Sequence, residues 1–187
     1  MEIRPLTSDD ATAYWHVRLE ALEGSPRAFS ASPEDHRLQG TEGAAKRIAS
    51  VEGERFVLGA WIEDALVGTV GFLRNESAKS RHVGLVWGVY VAPSARGLGV
   101  GSALLRALIE QAQGFGGLER LVLDVDSESP TAIRLYEGVG FRSFGLEPNA
   151  LKVGNEYVHL HHMAFVLFPL EPSKQDSSRV DRGSPRL

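Results

Sequence analysis

The sequence contains no cysteine among its 187 residues. That absence excludes disulfides, thiolate metal sites and an acyl-cysteine intermediate. Long apolar runs are missing as well. None approaches the roughly 20 residues needed to span a bilayer, and Met1–Thr7 lacks the apolar core of a secretory leader. The expectation is a cytoplasmic protein that does not associate with membranes. There is no excess of positive charge either. The net charge is −4, and the segment 171–187 sets Lys174, Arg179, Arg182 and Arg186 against Glu171, Asp176 and Asp181, so the rest of the chain is slightly more acidic still. Such a balance opposes a nucleic-acid groove and weakly favours cationic partners.

What is present is ordinary for a globular protein: 43% apolar and 24% charged residues. The length suits one compact domain that folds without covalent staples. The expected boundaries are a single domain over 1–170 and a polar, flexible tail over 171–187, which is poor in apolar residues. A short first strand is expected at Ile3–Leu6. Thr7 reads as the N-cap of a helix to about Glu23, with Asp9 and Asp10 in its first turn. Gly24-Ser25-Pro26 breaks that helix. Ser32 and Pro33 form a second helix start, and that helix runs to about Ser50 with an interruption near Gly40–Gly43.

Strands follow at Phe56–Ile62, Leu66–Leu73 and Val83–Val91, the first two close enough for a hairpin. A glycine-rich turn, Arg96–Gly101, opens a helix to about Gln113. Leu121–Val125 reads as a strand, and Ser129-Pro130 starts a helix that ends at Gly138–Gly140. Phe141–Leu146 and Tyr157–Phe168 read as two last strands, with a turn at Gly154-Asn155. This order gives an α/β (α+β) fold: a mixed sheet with helices on its faces.

The segment from Val89 to Ser102 carries the chemistry. A strand ends, Pro93 stops its pairing, and glycines lead into a helix whose first N–H groups are unpaired and partly positive. Glycine lets a ligand approach the backbone, and Arg96 adds a full charge, so the turn suits a pyrophosphate. It is not a P-loop, because no Gly-Lys-Ser/Thr follows. Nor does it match the Rossmann G-x-G-x-x-G. From Gly97 the sixth position is Ser102, and from Gly99 it is Leu104.

Arg96, Gly99 and Gly101 match Q/R-x-x-G-x-G/A, the acetyl-CoA motif of the GNAT acetyltransferase superfamily. Ala132, Leu135, Tyr136, Gly140 and Phe141 match a second motif of that superfamily, with Ser129 where asparagine is usual. The sequence therefore resembles a GNAT N-acetyltransferase over about residues 1–170. The resemblance implies a mostly antiparallel central sheet flanked by helices, with Val83–Val91 bulged and splayed from the strand at Leu121. It also implies acetyl-CoA as co-substrate and no metal. The pantetheine arm would lie along Val89, Tyr90 and Val91, and the pyrophosphate on Arg96, Gly97, Leu98, Gly99, Val100, Gly101 and Ser102. Ser129 would lie beside the cofactor.

A protonated amine is not a nucleophile, so a base must remove its proton. Tyr136 is the family's usual proton donor to the leaving thiolate, and its phenol is protonated at neutral pH. The alternative is a ring that only packs beside the sulfur. The central strand offers no acid between Gly84 and Val91. His82, just before it, is the nearest group that titrates near neutrality, though an exposed strand-end histidine explains it equally well. Asp124, Asp126 or a water chain are further options. His159 and His161 share one face of a strand, and His162 adjoins them, but no third or fourth metal ligand is evident. Trp15, Trp61 and Trp87 suit core or pocket wall. Arg18, Glu20 and Phe29–Asp35 resemble the variable acceptor-side elements of the family.

The function so implied is transfer of an acetyl group from acetyl-CoA to a primary amine on a small molecule or peptide. The alternatives are a protein lysine or N-terminal acetyltransferase and a non-catalytic acyl-CoA sensor. A homodimer is carried as an open option.

Overall fold

The computed structural model describes residues 1–168; the tail expected at 171–187 lies outside them. The chain forms a seven-stranded sheet in the order β1-β2-β3-β4-β5-β7-β6. Its strands are β1 (Glu2–Pro5), β2 (Arg55–Ile62), β3 (Ala65–Arg74), β4 (Val83–Val91), β5 (Arg120–Asp126), β6 (Arg142–Val153) and β7 (Glu156–Val166). Every neighbouring pair is antiparallel except β4 with β5, which run parallel. The helices are α1 (Ala11–Gly24), α2 (Pro33–Ile48), α3 (Val100–Gln113) and α4 (Pro130–Val139). Among the described residues, no helix is long and apolar enough to cross a membrane.

β3 is buried at nearly every position, the pattern of a strand covered on both faces. α1 and α3 both pack against it. Gly68 leaves room for α3: a Cβ there would stand 3.1 Å from Leu104 and 3.2 Å from Val100. The core includes Leu104, Leu105 and Leu108 of α3, Phe72, Leu121 and Phe141, all fully buried. Glycine is equally needed at Gly71, because a Cβ there would collide with the Trp87 indole.

Several expectations required correction. Thr7 is an N-cap, but of a short 3-10 turn with Asp10 as its capping-box partner and not of α1 itself. It donates both its N–H (2.8 Å) and its hydroxyl (3.2 Å) to Asp10, whose carboxylate also holds Arg4 through two bonds of 2.8 Å. A short 3-10 turn, Ser8–Asp10, intervenes before α1. The second helix is present with Ser32 Oγ accepting from Asp35 N at 3.0 Å, and it kinks at Gly40 (φ 58°, ψ −165°). The strand expected at Phe141–Leu146 instead runs from Arg142 to Val153. Pro148 and the polar run around it obscured this, but pairing with β7 extends the strand through register shifts after Ser143 and after Glu147. The turn at Gly154-Asn155 joins the two strands, with Gly154 at φ 60°. β7 ends at Val166, two residues earlier than expected.

Candidate active site

The site begins with a failure of pairing. β4 and β5 are in register only over Val83–Leu85 and Arg120–Val122. Beyond Leu85 the strands separate, leaving the β5-facing edge of β4 unpaired. A bulge increases the divergence: Gly71 faces Trp87 but Thr69 faces Tyr90, so β4 holds one residue more than β3 across this stretch. Gly88 sits in the bulge at φ 63°, a conformation that favours glycine. The Thr69 hydroxyl donates to the Gly88 carbonyl at 3.1 Å and holds the bulge in place.

Three adjoining cavities occupy the opening. The first, about 490 Å³, lies between the end of β4, the start of α3 and α4. Val89, Tyr90, Val91, Arg96, Gly97, Gly99, Val100, Gly101, Ser102 and Ser129 all line it. Leu98 does not; it is 65% exposed on the outside of the turn. Gly97 and Gly99 have φ of 77° and 79°, and a Cβ at either would meet open space. Gly99 is the N-cap of α3, and no side chain caps the helix. The first N–H groups of α3 therefore lie at the cavity without side-chain caps, an arrangement that suits an anion. Arg96 bends back toward the strand: its Nε donates to the Val91 carbonyl at 3.1 Å and its guanidinium lies 6.0 Å from the Tyr90 ring. Gly101 has a packing role too, since a Cβ there would stand 3.1 Å from Leu135 of α4.

The second cavity, about 380 Å³, lies deeper between β4 and β5, and Tyr136, Ser129 and Val89 line both it and the first. Tyr136 is 8% exposed, and its ring meets Phe141 edge-on at 6.1 Å. Burial pushes its phenol well above the ordinary value, so it stays protonated at every physiological pH. The third cavity, about 590 Å³, continues past Trp87 and Gly88 between α1, α2, β5, β6 and β7. Phe29 lines all three and stands where they join.

His82 is not brought to this opening. It precedes the paired end of β4, where its carbonyl accepts from Glu119 N (2.8 Å) and Arg120 N (3.1 Å). Seven residues of extended chain, roughly 20 Å, separate it from Val89. Asp124 and Asp126 do line the deeper cavities. Burial raises the Asp126 pKa, but the Arg27 guanidinium at 2.8 Å and the Glu128 N–H at 3.0 Å outweigh it and hold the carboxyl below its ordinary range. Asp126 is thus committed to Arg27, which also reaches Glu128 (2.6 Å) and Glu156 (3.3 Å) and ties the α1–α2 connection to the ends of β5 and β7. Asp124 is bonded instead to His162 Nδ1 at 2.6 Å, and His162 Nε2 lies 3.3 Å from Glu147. This chain of proton-carrying groups joins three strands. Nothing in residue spacing announced it, because Glu147 fell in a segment without a strand pattern.

The other two histidines have separate partners: His159 Nδ1 accepts from Asn149 N at 2.9 Å, and His161 Nδ1 lies 3.3 Å from the Ser143 hydroxyl. Among the described residues, no three His, Asp or Glu side chains are grouped to hold a metal ion. Trp87 lines the second and third cavities, while Trp15 and Trp61 pack against the core.

Comparison with known proteins agrees with this geometry. Residues 15–141 match the acetyltransferase (GNAT) family model. The chain is 31% identical to a mycothiol acetyltransferase of Salinispora arenicola over 147 residues, which is 78% of this chain and 45% of that relative. It thus spans about half the length of that protein. It is 28% identical to the L-amino acid N-acetyltransferase AaaT of Escherichia coli over 134 residues, 72% of this chain and 78% of AaaT. The structure of yncA from Salmonella typhimurium, solved with its cofactor acetyl-CoA, shares the fold with a TM-score of 0.72 at 21% identity, covering 100% of this chain and 98% of that one.

Proposed function

Because the chain belongs to the acetyltransferase (GNAT) family, we propose that it transfers an acetyl group from acetyl-CoA to the primary amine of a small molecule. The observation that carries this reading is the unpaired edge of β4 leading directly to the uncapped start of α3. A diphosphate fits the free N–H groups at Gly99–Ser102, where two glycines leave space that side chains would fill. An amide-containing arm fits the open edge of Val89–Val91, bonding to it as an added strand would. When bound, acetyl-CoA supplies the thioester carbonyl that the amine attacks.

The residues of this chain handle the protons. Asp124, backed by His162 and Glu147, takes a proton from the incoming ammonium, directly or through one water. A backbone N–H in the Val89–Val91 segment stabilises charge that develops on the carbonyl oxygen. Tyr136 donates its phenolic proton to the leaving sulfur and regains one from the newly acylated nitrogen. The balance is an amide, free thiol and one released proton. Asp124 replaces His82 as the proposed base, because His82 lies at the paired end of β4.

The acceptor cavity is bounded by α1, α2 and strands from both halves of the sheet, which suits a small molecule better than a protein segment. The names of the two relatives, a mycothiol acetyltransferase and an L-amino acid N-acetyltransferase, support a small amine. The test is thiol release from acetyl-CoA across a panel of amines, amino acids and peptides. Turnover with at least one small amine is expected. CoA binding without release for any acceptor would instead establish a sensor, and turnover confined to peptides would establish a protein acetyltransferase.

A further inference from the structure

The third cavity holds a charge that the protein itself leaves unanswered. Arg18 of α1 lines it and is 7% exposed, yet among the described residues it makes no hydrogen bond or ion pair, and its Nη1 is fully buried without a partner. One helical turn earlier, Tyr14 is 1% exposed and its hydroxyl is also buried and unbonded. A buried guanidinium with no acceptor opposes folding. Of the two, Arg18 lines the cavity, and its orphaned guanidinium points to a missing acceptor there.

The surroundings describe that acceptor. The Arg18 guanidinium lies over the Phe29 ring, 4.5 Å from its centroid, and Arg47 of α2 lies 5.6 Å from the Trp87 ring. Both rings fix the positions of their cations without neutralising them. Lys46 and Arg55 line the same cavity. Burial lowers the Arg18 guanidinium from its ordinary value; Tyr14 opposes this and the nearby Arg47 charge adds to it. The acids lining the cavity are Asp124 and Asp126, and each is already engaged, by His162 and by Arg27. Glu20, close in sequence, is bonded to the Tyr90 hydroxyl at 3.1 Å. The cavity thus has a cationic region and an acidic wall.

We propose that the acceptor is an amine that also carries a carboxylate, with the carboxylate seated on Arg18 and the ammonium directed toward Asp124. This rests on the acetyl-transfer reading and names its substrate class. A planar guanidinium pairs with a carboxylate through two parallel bonds. Fixing one end of the acceptor orients its nitrogen for attack. Arg18 does not line the first cavity, so its contribution is to the acceptor and not to CoA.

The test uses matched pairs, each an amino acid and its decarboxylated amine, in thiol-release assays with acetyl-CoA. The amino acid of a pair is expected to have a kcat/KM at least about tenfold higher, and Arg18→Gln is expected to bring that ratio toward one, mainly through KM, with CoA affinity retained. Arg18→Lys should restore part of the preference. Because an unpartnered buried charge is removed, Arg18→Met should raise the melting temperature of the unliganded protein. Amino acids should raise the melting temperature of the CoA-bound wild type but not of CoA-bound Arg18→Gln. Equal rates within pairs, an Arg18→Gln variant that keeps the preference, or a lower melting temperature for Arg18→Met would each overturn the proposal. If no amine releases thiol, the transfer reading fails, and the amino-acid melting shifts still decide whether Arg18 holds a carboxylate.

Discussion

In the proposed reaction Tyr136 and Gly99 have opposite parts, one as a proton donor and one as a gap for the diphosphate. Tyr136 borders both the first and second cavities, and Phe141 fixes its ring. Burial keeps the phenol protonated, so the proposed donor role is open to it at any pH the protein meets. Tyr136→Phe is expected to lower kcat by roughly 10²-fold, the usual scale for a positioned acid, while CoA affinity measured by calorimetry stays within about twofold. A wild-type rate from pH 6 to 10 would remove the proton-donor role. Gly99 acts by having no side chain. At φ 79° it turns the chain into α3 and leaves its N–H groups uncovered. Gly99→Val should weaken CoA binding at least about tenfold, because the new side chain strains the turn and occupies the diphosphate's approach. Unchanged affinity would place the diphosphate elsewhere.

Among the elements, β4 decides whether a site exists. Its first three residues pair with β5 and its later ones do not. The bulge at Gly88 turns the strand away, and the Thr69 hydroxyl holds the bulge carbonyl. A residue with a Cβ at φ 63° costs about 1–2 kcal/mol. Gly88→Val is therefore expected to lower unfolding free energy by about that amount in urea titrations. It should also reduce kcat/KM, because straightening β4 would close the opening. If stability and transfer rate are both unaltered, the bulge does not depend on glycine. α1 has a complementary role, presenting Arg18 to the third cavity while Tyr14, Val17, Ala21 and Leu22 bury in the core. The turn Pro26–Ala28 is held by Arg27 across 99 residues of sequence to Asp126, and that places Phe29 at the junction of the cavities.

For the molecule as a whole, the buried titratable groups define a pH window of stability. Arg4, assisted by the Thr7 N–H, holds the Asp10 carboxyl down to about 2 against an ordinary value of 3.8. Asp126 is also held low, and burial lowers His36, whose ring nitrogen bonds the Trp15 carbonyl at 2.9 Å. In all three the unfolded chain binds more protons, so their contribution is present at high pH and is lost on acidification. His36 acts as pH falls below roughly 6.5, and the two acids act below about pH 4. Asp10 alone should contribute on the order of 1 kcal/mol, allowing for solvent screening at the half-exposed Arg4. Tyr14, Tyr90 and Tyr136 are all raised by burial. In these the folded chain keeps its protons longer, so stability falls above about pH 10. Urea midpoints measured from pH 3 to 11 should form a plateau between about 7 and 10 and decline on both sides. Asp10→Asn should flatten the part of the acid limb below pH 4.

Local chemistry left clear marks in the sequence. The element order, the Ser32 cap, the glycine turn at Arg96–Gly101 and the Tyr136 motif all depend on residues within a few positions of one another, where spacing is informative. The residues that line the first cavity, Leu98 excepted, were legible for that reason. Tertiary packing alone decided how far β4 and β5 separate, the length of β6, the displacement of His82 from the opening, and the joining of Asp124 to His162 and Glu147. It also decided that Arg18 would be buried without a counter-charge. These depend on strands and helices brought together from distant parts of the chain. No period or local motif encodes which buried charge will find a partner and which will be left for a ligand.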